Sequence, residues 1–375
     1  MKGGKRFLLL AWMLLLVFAL TACSGEDDVS SLMKNGDSAY ANGDYTGAAE
    51  SYTRIIEIGK ASDEIYNNRG MCYLNMGNTV GAIADFTEAL KLKDSSDVYL
   101  NNRGLAYFAA SDYENAISDF TGALGIKSTS AVYYANRGDS YLGLGMYENA
   151  INDYNEALKL NGNLVTALGN RANCYFHLGD YEAAAADYTT AIEKDPENPL
   201  LYWNRGEAYR MLSDGEKALA DYTRYQETGE GMTADFYLKR AELYVDLEQY
   251  ENALKDYESA IQMSPDSLIL YEGRANIHFL MGNYNEAISD YNRFIGSDQE
   301  LSGAAYAVAV GNRGYCYFAM DDLDNALRDL DAAIKSDPAY AWAYFTRGQI
   351  YQQLERYEEA KADYDKANEL LENGQ

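Results

Sequence analysis

"AVYYANRGDSYLGLGMYENAINDYNEALKLNGNL" (131–164) holds the pattern that decides the fold. With its residues numbered 1 to 34, Tyr134, Gly138 and Tyr141 fall at positions 4, 8 and 11, on one face at the helical period. Tyr147, Ala150, Tyr154, Ala157 and Leu158 fall at 17, 20, 24, 27 and 28, on one face of a second helix. Gly145, at 15, ends the first helix and turns the chain. The stretch predicts a helical hairpin whose apolar faces cannot all be buried within it, so it needs neighbours of the same kind.

The neighbours are present. Arg137 at position 7 is matched by Arg69, Arg103, Arg171, Arg205, Arg240, Arg274, Arg313 and Arg347, with intervals of 34 residues broken only by one of 35 and one of 39. A further copy without the Arg begins near Val29, which makes ten. Position 8 is Gly or Ala and position 20 is Ala in every copy. Small residues there let two helix backbones approach, and large side chains fill the space beside them. Pro196, Pro265 and Pro338 stand at position 32, where they stop the second helix. Most of the 35 tyrosines fall at positions 4, 11, 17 and 24, so the rings are expected in the core rather than on a ligand-stacking surface. The pattern resembles the tetratricopeptide repeat family in length and at each signature position. The resemblance covers residues 29–372. It implies an all-α, right-handed superhelical solenoid of ten helix-turn-helix repeats, with a longer link at 296–306, whose concave groove binds a protein or peptide.

Position 23 is Asp wherever position 7 is Arg. The two positions lie almost equally far from the turn at 15, hence at one level on antiparallel helices. The pattern predicts ion pairs Arg69–Asp85, Arg103–Asp119, Arg137–Asp153, Arg171–Asp187 and Arg205–Asp221, and their counterparts in later copies, within a hairpin or between adjacent ones. Arg suits the place because its planar fork holds a carboxylate through two bonds. Position 6 carries Asn68, Asn102, Asn136, Asn170, Asn204 and Asn312, off the core face. The family resemblance implies that this side lines the groove, where an amide ladder would grip a peptide backbone. Bonding of each Asn to its own helix or to a neighbouring repeat is the alternative.

The resemblance also places positions 2, 5, 9, 12 and 13 on the concave side. They carry eight acids, of which Glu207, Asp235, Glu242, Asp246 and Glu272 cluster in copies six to eight, and one base, Arg210. Trp203, Phe279, Trp342 and Phe345 are interleaved with them. The expected ligand is an extended protein segment with basic and apolar side chains. Positions 2, 5 and 6 are almost without bases, Lys34 and Lys239 being the exceptions, so the carboxylate-clamping variety of the family is not expected. The last helical stretch, "KADYDKANELLENGQ" (361–375), is polar enough to cap the array.

Before the repeats, Lys2, Lys5 and Arg6 precede "FLLLAWMLLLVFAL" (7–20), a run of 14 apolar residues. A membrane span needs about 20, so the run reads as a signal-peptide core. It ends in "LTAC" (20–23), which resembles the lipobox of bacterial lipoproteins. The resemblance implies a signal peptide at 1–22, lipidation of Cys23, a tether at 23–28, and an extracytoplasmic chain held on a bacterial membrane, inner, outer or Gram-positive. An ordinary secretory signal with a chance Cys is the alternative. The formal net charge of −27 argues against nucleic acid as a partner and, taken over the whole surface, against anionic lipid. Cys72, Cys174 and Cys316 are odd in number and far apart in the array, so they read as small buried hydrophobes. The only histidines, His177 and His278, are 101 residues apart, and no phosphate loop, metal spacing or nucleophile elbow is present. Neither an enzyme nor a cofactor is expected. The sequence points to an anchored binding scaffold, with a purely structural envelope component or a glycan- or peptidoglycan-binding lipoprotein as alternatives.

Overall fold

In a computed structural model, residues 28–229, 231–296 and 303–372 are described. The leader, Cys23 and all of the tether but Asp28 lie outside them. The described residues form twenty α-helices and no strand. Each repeat is one hairpin, and successive hairpins pack on one another within two units, residues 1–197 and 198–375. The described part of the first unit pairs α1 (Val29–Ala41) with α2 (Tyr45–Glu57), α3 (Asp63–Asn75) with α4 (Thr79–Leu92), α5 (Asp97–Ala109) with α6 (Tyr113–Ile126), α7 (Ala131–Gly143) with α8 (Tyr147–Leu160), and α9 (Val165–His177) with α10 (Tyr181–Lys194). The second unit pairs α11 (Pro199–Met211) with α12 (Gly215–Gln226), α13 (Ala234–Asp246) with α14 (Tyr250–Met263), α15 (Leu268–Leu280) with α16 (Tyr284–Ile295), α17 (Gly303–Ala319) with α18 (Leu323–Ser336), and α19 (Ala341–Gln353) with α20 (Tyr357–Glu372).

The core is built from two repeat positions above all. The ten alanines at position 20, from Ala48 to Ala360, are buried. The large side chain at position 24 fills the space between the two helices, with Tyr52, Phe86, Phe120, Tyr154, Tyr222, Tyr291 and Leu330 all essentially inaccessible. Position 8 lies directly above that side chain. A Cβ at Gly138 would stand 2.8 Å from Tyr154 Cε1, and one at Gly70 equally close to Phe86. Close approach to the ring is why position 8 is confined to Gly and Ala. The tyrosines at positions 4, 11 and 17 do not share this depth. Tyr66, Tyr73, Tyr141 and Tyr147 are only half-buried, and Tyr357 is exposed. The expectation that the rings at these positions lie in the core holds fully at position 24; at 4, 11 and 17 most are half-buried and flank the core.

The hairpin turn has one conformation throughout. Position 15 takes a positive φ in all ten copies, as Gly in five (Gly43, Gly77, Gly145, Gly179, Gly282) and as Ser111, Ser213, Glu248, Asp321 and Glu355 in the others. Two bonds fix it: at Gly77 and Asn78, the backbone N–H groups donate to Leu74 and Tyr73 carbonyls, closing the first helix. In six copies the next residue caps the second helix with its side chain, as Asp44 does for the Gly47 N–H at 2.9 Å. Of the long link, residues 297–302 lie outside the described part, and Gly303 to Tyr306 lengthen α17 to 17 residues.

A left-handed residue other than Gly costs about 1–2 kcal/mol. Glu248→Gly is therefore expected to stabilise the second unit by about 1 kcal/mol, after Gly's own entropy cost is deducted. Urea unfolding read at a fixed slope checks this, and an unchanged midpoint would contradict the turn assignment.

Candidate binding face

All nine Arg–Asp pairs form within their own hairpins. In the fourth copy Arg137 Nε donates to Asp153 Oδ2 and Nη2 to Asp153 Oδ1, both at 2.7 Å. The same two bonds hold Asp85, Asp119, Asp187 and Asp221 on Arg69, Arg103, Arg171 and Arg205, and recur in the last four copies. The third arm of the fork crosses to the preceding repeat. Nη1 of Arg69, Arg103 and Arg137 donates to Thr53, Thr87 and Thr121, and that of Arg171 to Asn155. Tyrosines at positions 4 and 11 flank the guanidinium, Tyr66 and Tyr73 at 5.9 and 5.6 Å from Arg69, with the same sandwich around Arg205 and Arg347. This is the place of those rings. The carboxylates are almost inaccessible, Asp153 being 5% exposed. Removing either partner strands a charge, so Arg137→Met should cost ~3–5 kcal/mol, and a double-mutant cycle with Asp153→Asn should show coupling well above the ~1 kcal/mol of a surface pair. Coupling near zero would remove the staple.

Three of the position-6 asparagines, Asn102, Asn136 and Asn170, are engaged between repeats. Asn102 Nδ2 donates to Asn67 Oδ1 at 2.9 Å, and Asn136 Nδ2 to Asn101 Oδ1 at 2.8 Å. Asn67 in turn donates to Asn68, and Asn101 to Asn102. Asn170 instead donates to Asp139 Oδ1 at 2.8 Å, an oxygen that also accepts from Tyr154 Oη at 2.7 Å. Asn312 accepts from Tyr340. Asn204 is half-buried on α11. The choice of partner follows position 24. Where that residue is Tyr, position 9 is polar, and in four copies it takes the hydroxyl, as Asp37 does from Tyr52 and Asn276 from Tyr291. Where it is Phe86 or Phe120, position 9 is Met71 or Leu105, and the next Asn turns to the amide at position 5. This pairing of 9 with 24 was visible in the sequence as matched apolar and polar choices. It means that Asp37, Asp139 and Glu207 floor the hairpins as well as facing outward.

In the second unit the five candidate acids divide. Glu207 accepts from Tyr222 and Arg210, and Lys239 Nζ lies 3.4 Å away. Burial works against its charge, but these donors outweigh it and hold the carboxyl below its usual range. Asp235 is exposed and 3.3 Å from Lys239. Glu242 is pushed up by burial and by Asp246 and Asp235, against the pull of Arg210, and burial alone pushes up Glu272. Both bear on the Tyr257 hydroxyl, which burial and these two charges raise to about 12. Arg210, Lys239, Glu242 and Asp246 border a cavity of about 360 Å³. The aromatics divide too. Trp203 packs against Tyr222, Tyr225 and Phe236 with Lys239 over its ring, which makes it part of a cluster rather than an open platform. Phe279 is half-buried against Tyr315; Tyr315 meets Trp342 at 5.6 Å; Trp342 stacks on Phe345 at 5.9 Å. Trp342 and Phe345 are 38% and 41% exposed. Glu272 and Phe279 lie two turns apart on one face of α15.

The three cysteines are buried thiols, pushed up by burial to about 11 for Cys72 and Cys174 and about 12 for Cys316. His177 is exposed and stacks on Tyr147 with centroids 4.9 Å apart. His278 stands at position 11, where Tyr is usual, and its Nδ1 is buried without a hydrogen-bond partner. Burial lowers its pKa. The unfolded chain then binds the proton more readily, so stability is lost as pH falls through about 6.5 and below. His278→Tyr should flatten the stability difference between pH 7 and pH 5 relative to the parent chain; equal slopes in both would show that His278 is not desolvated.

Tetratricopeptide repeat profiles match residues 64–96, 98–130, 131–164, 270–301 and 343–371, and a TPR repeat profile matches 172–213, 241–282 and 314–355. The chain belongs to the tetratricopeptide repeat family, and as an array of such repeats it is a protein–protein interaction scaffold. It is 30% identical over 119 residues to human Tetratricopeptide repeat protein 6, covering 32% of this chain and 22% of that protein. It is 31% identical over 146 residues to human DnaJ homolog subfamily C member 7, covering 33% and 29%. The chain thus spans less than a third of either relative. Among solved structures, the C-terminal part of a TPR repeat-containing protein from Cytophaga hutchinsonii superposes with a TM-score of 0.55 at 17% identity, over 64% of this chain and 98% of that one, a likeness of fold.

Proposed function

We propose that the chain is an extracytoplasmic scaffold, anchored to a bacterial membrane through lipidated Cys23, whose second unit takes an extended protein segment carrying basic and apolar side chains. The observation that supports this most is the ring ladder from Phe279 through Tyr315 and Trp342 to Phe345, open at its Trp342–Phe345 end and adjoined on α15 by Glu272. Large exposed rings in contact mark a surface that gains by being covered. Glu242, Asp246 and Glu272 supply the charge that selects a basic partner. Glu207 contributes less, because Arg210 and Lys239 already answer it. Of the Asn candidates, those at 102, 136 and 170 would have to release bonds between repeats to grip a ligand backbone, so the rings and carboxylates carry the reading.

A fluorescent peptide of alternating Lys and Phe is a direct probe. Its affinity should fall with added salt, about tenfold with Phe345→Ala, and about tenfold with Glu242→Lys. It should also weaken as pH falls into the raised range of Glu242 and Glu272, where these carboxyls take up protons. Binding indifferent to salt and to both substitutions would place the ligand on another face.

A further inference from the structure

One edge of the first unit carries a second pattern. Position 30, at the C-terminal end of α2, α4, α6 and α8, is Ile58, Leu92, Ile126 and Leu160, and each is exposed. Val98 and Val132, the second residues of α5 and α7, are exposed at the same end of the hairpins. The six range from 37% to 59% accessible. The fold does not demand aliphatics there, since the fifth and sixth copies have Lys194 and Thr228 at the same position. Each of the four position-30 residues has a lysine within two places: Lys60, Lys91 and Lys93, Lys127, Lys159. These five are most of the seven lysines in residues 28–197. Lysines at helix C-termini answer the helix dipole, which accounts for their charge but not for the aliphatics beside them.

Carboxylates are scarce along this edge of a strongly acidic chain. None occurs in 120–138 or in 157–179. Asp63 and Asp97 are held by the Tyr99 and Tyr133 hydroxyls at 2.9 and 3.0 Å, and Glu57 is paired with Arg54. Asp94 remains. Lys91 and Lys159 have only exposed partners one turn away, Glu88 and Glu156, and such pairs exchange readily with other anions.

We propose that this rim lies on an anionic lipid surface, with the aliphatic tips entering the headgroup layer and the lysines meeting lipid phosphates. Separate tips at successive helix ends, each beside a cation, suit a fluid layer that needs no matching pockets. The proposal draws on the anchor reading, because six residues from Cys23 to Val29 reach at most ~20 Å and would keep the first unit beside the bilayer. It is tested without the anchor. Residues 24–375, which contain every described residue, are mixed with vesicles of phosphatidylcholine alone or with about one-third phosphatidylglycerol. The expected result is sedimentation with the anionic vesicles that weakens with salt and drops about tenfold or more for Ile126→Asp with Leu160→Asp, and likewise for Lys93→Glu with Lys127→Glu, the helical circular dichroism staying the same. No binding by the parent, equal binding by parent and variants, or a variant that instead abolishes a dimer would overturn it. Lack of an acyl group on Cys23 in cells would overturn the anchor and leave the vesicle result standing.

Discussion

The Arg–Asp fork is the constraint on which the rest of the array depends. It spans the two helices of one hairpin with two short bonds, and its remaining arm reaches the repeat before. A hydrophobic face alone would let stacked helices slide by a turn. A planar group satisfied only at one register does not. Once positions 7 and 23 are level, position 8 is forced over the ring at 24, and only a residue without a side chain, or with the smallest one, fits. Gly, Arg, Asp and the buried ring are therefore one decision expressed four times per repeat. The desolvation of so many carboxylates is tolerable because each meets two donors, and rings cover most of the guanidinium groups.

Much of this was legible in the sequence, for a physical reason. Ten copies superpose the same requirement, so a chance residue in one is averaged out by the others. Helix limits, the buried alanines and the pairing of Arg137 with Asp153 could all be read from phase. Depth could not. Tyr66 and Tyr154 are the same residue at apolar phases, and nothing in the letters tells that one sandwiches a guanidinium while the other fills the hairpin. Ser111 and Glu248 adopt the turn conformation of their glycine counterparts because the closing bonds impose it, and an ordinary polar residue advertises nothing of the sort.

The candidate face shows the same limit more sharply. Position alone grouped Glu207 with Glu242 and Trp203 with Trp342. Their neighbours separate them: Glu207 sits under a tyrosine hydroxyl between two cations, and Trp203 leans on Tyr222. What distinguishes an available side chain from an occupied one is the identity of residues 15 or 30 places away, which hairpin packing brings together. The matched choice of Met71 with Phe86, and of Asp139 with Tyr154, was the sequence's own trace of this contact.

Because the forks of the first unit reach back to position 25 of the copy before them, the junctions from Arg69 to Arg171 use the same plug and socket. Excising one whole 34-residue block from the middle of the first unit would present the next arginine with another threonine or asparagine at the right height. The grammar of the array is thus indifferent to its length. Lineages could shorten or extend such a chain by recombination between blocks, changing how much surface it offers while leaving each remaining joint intact.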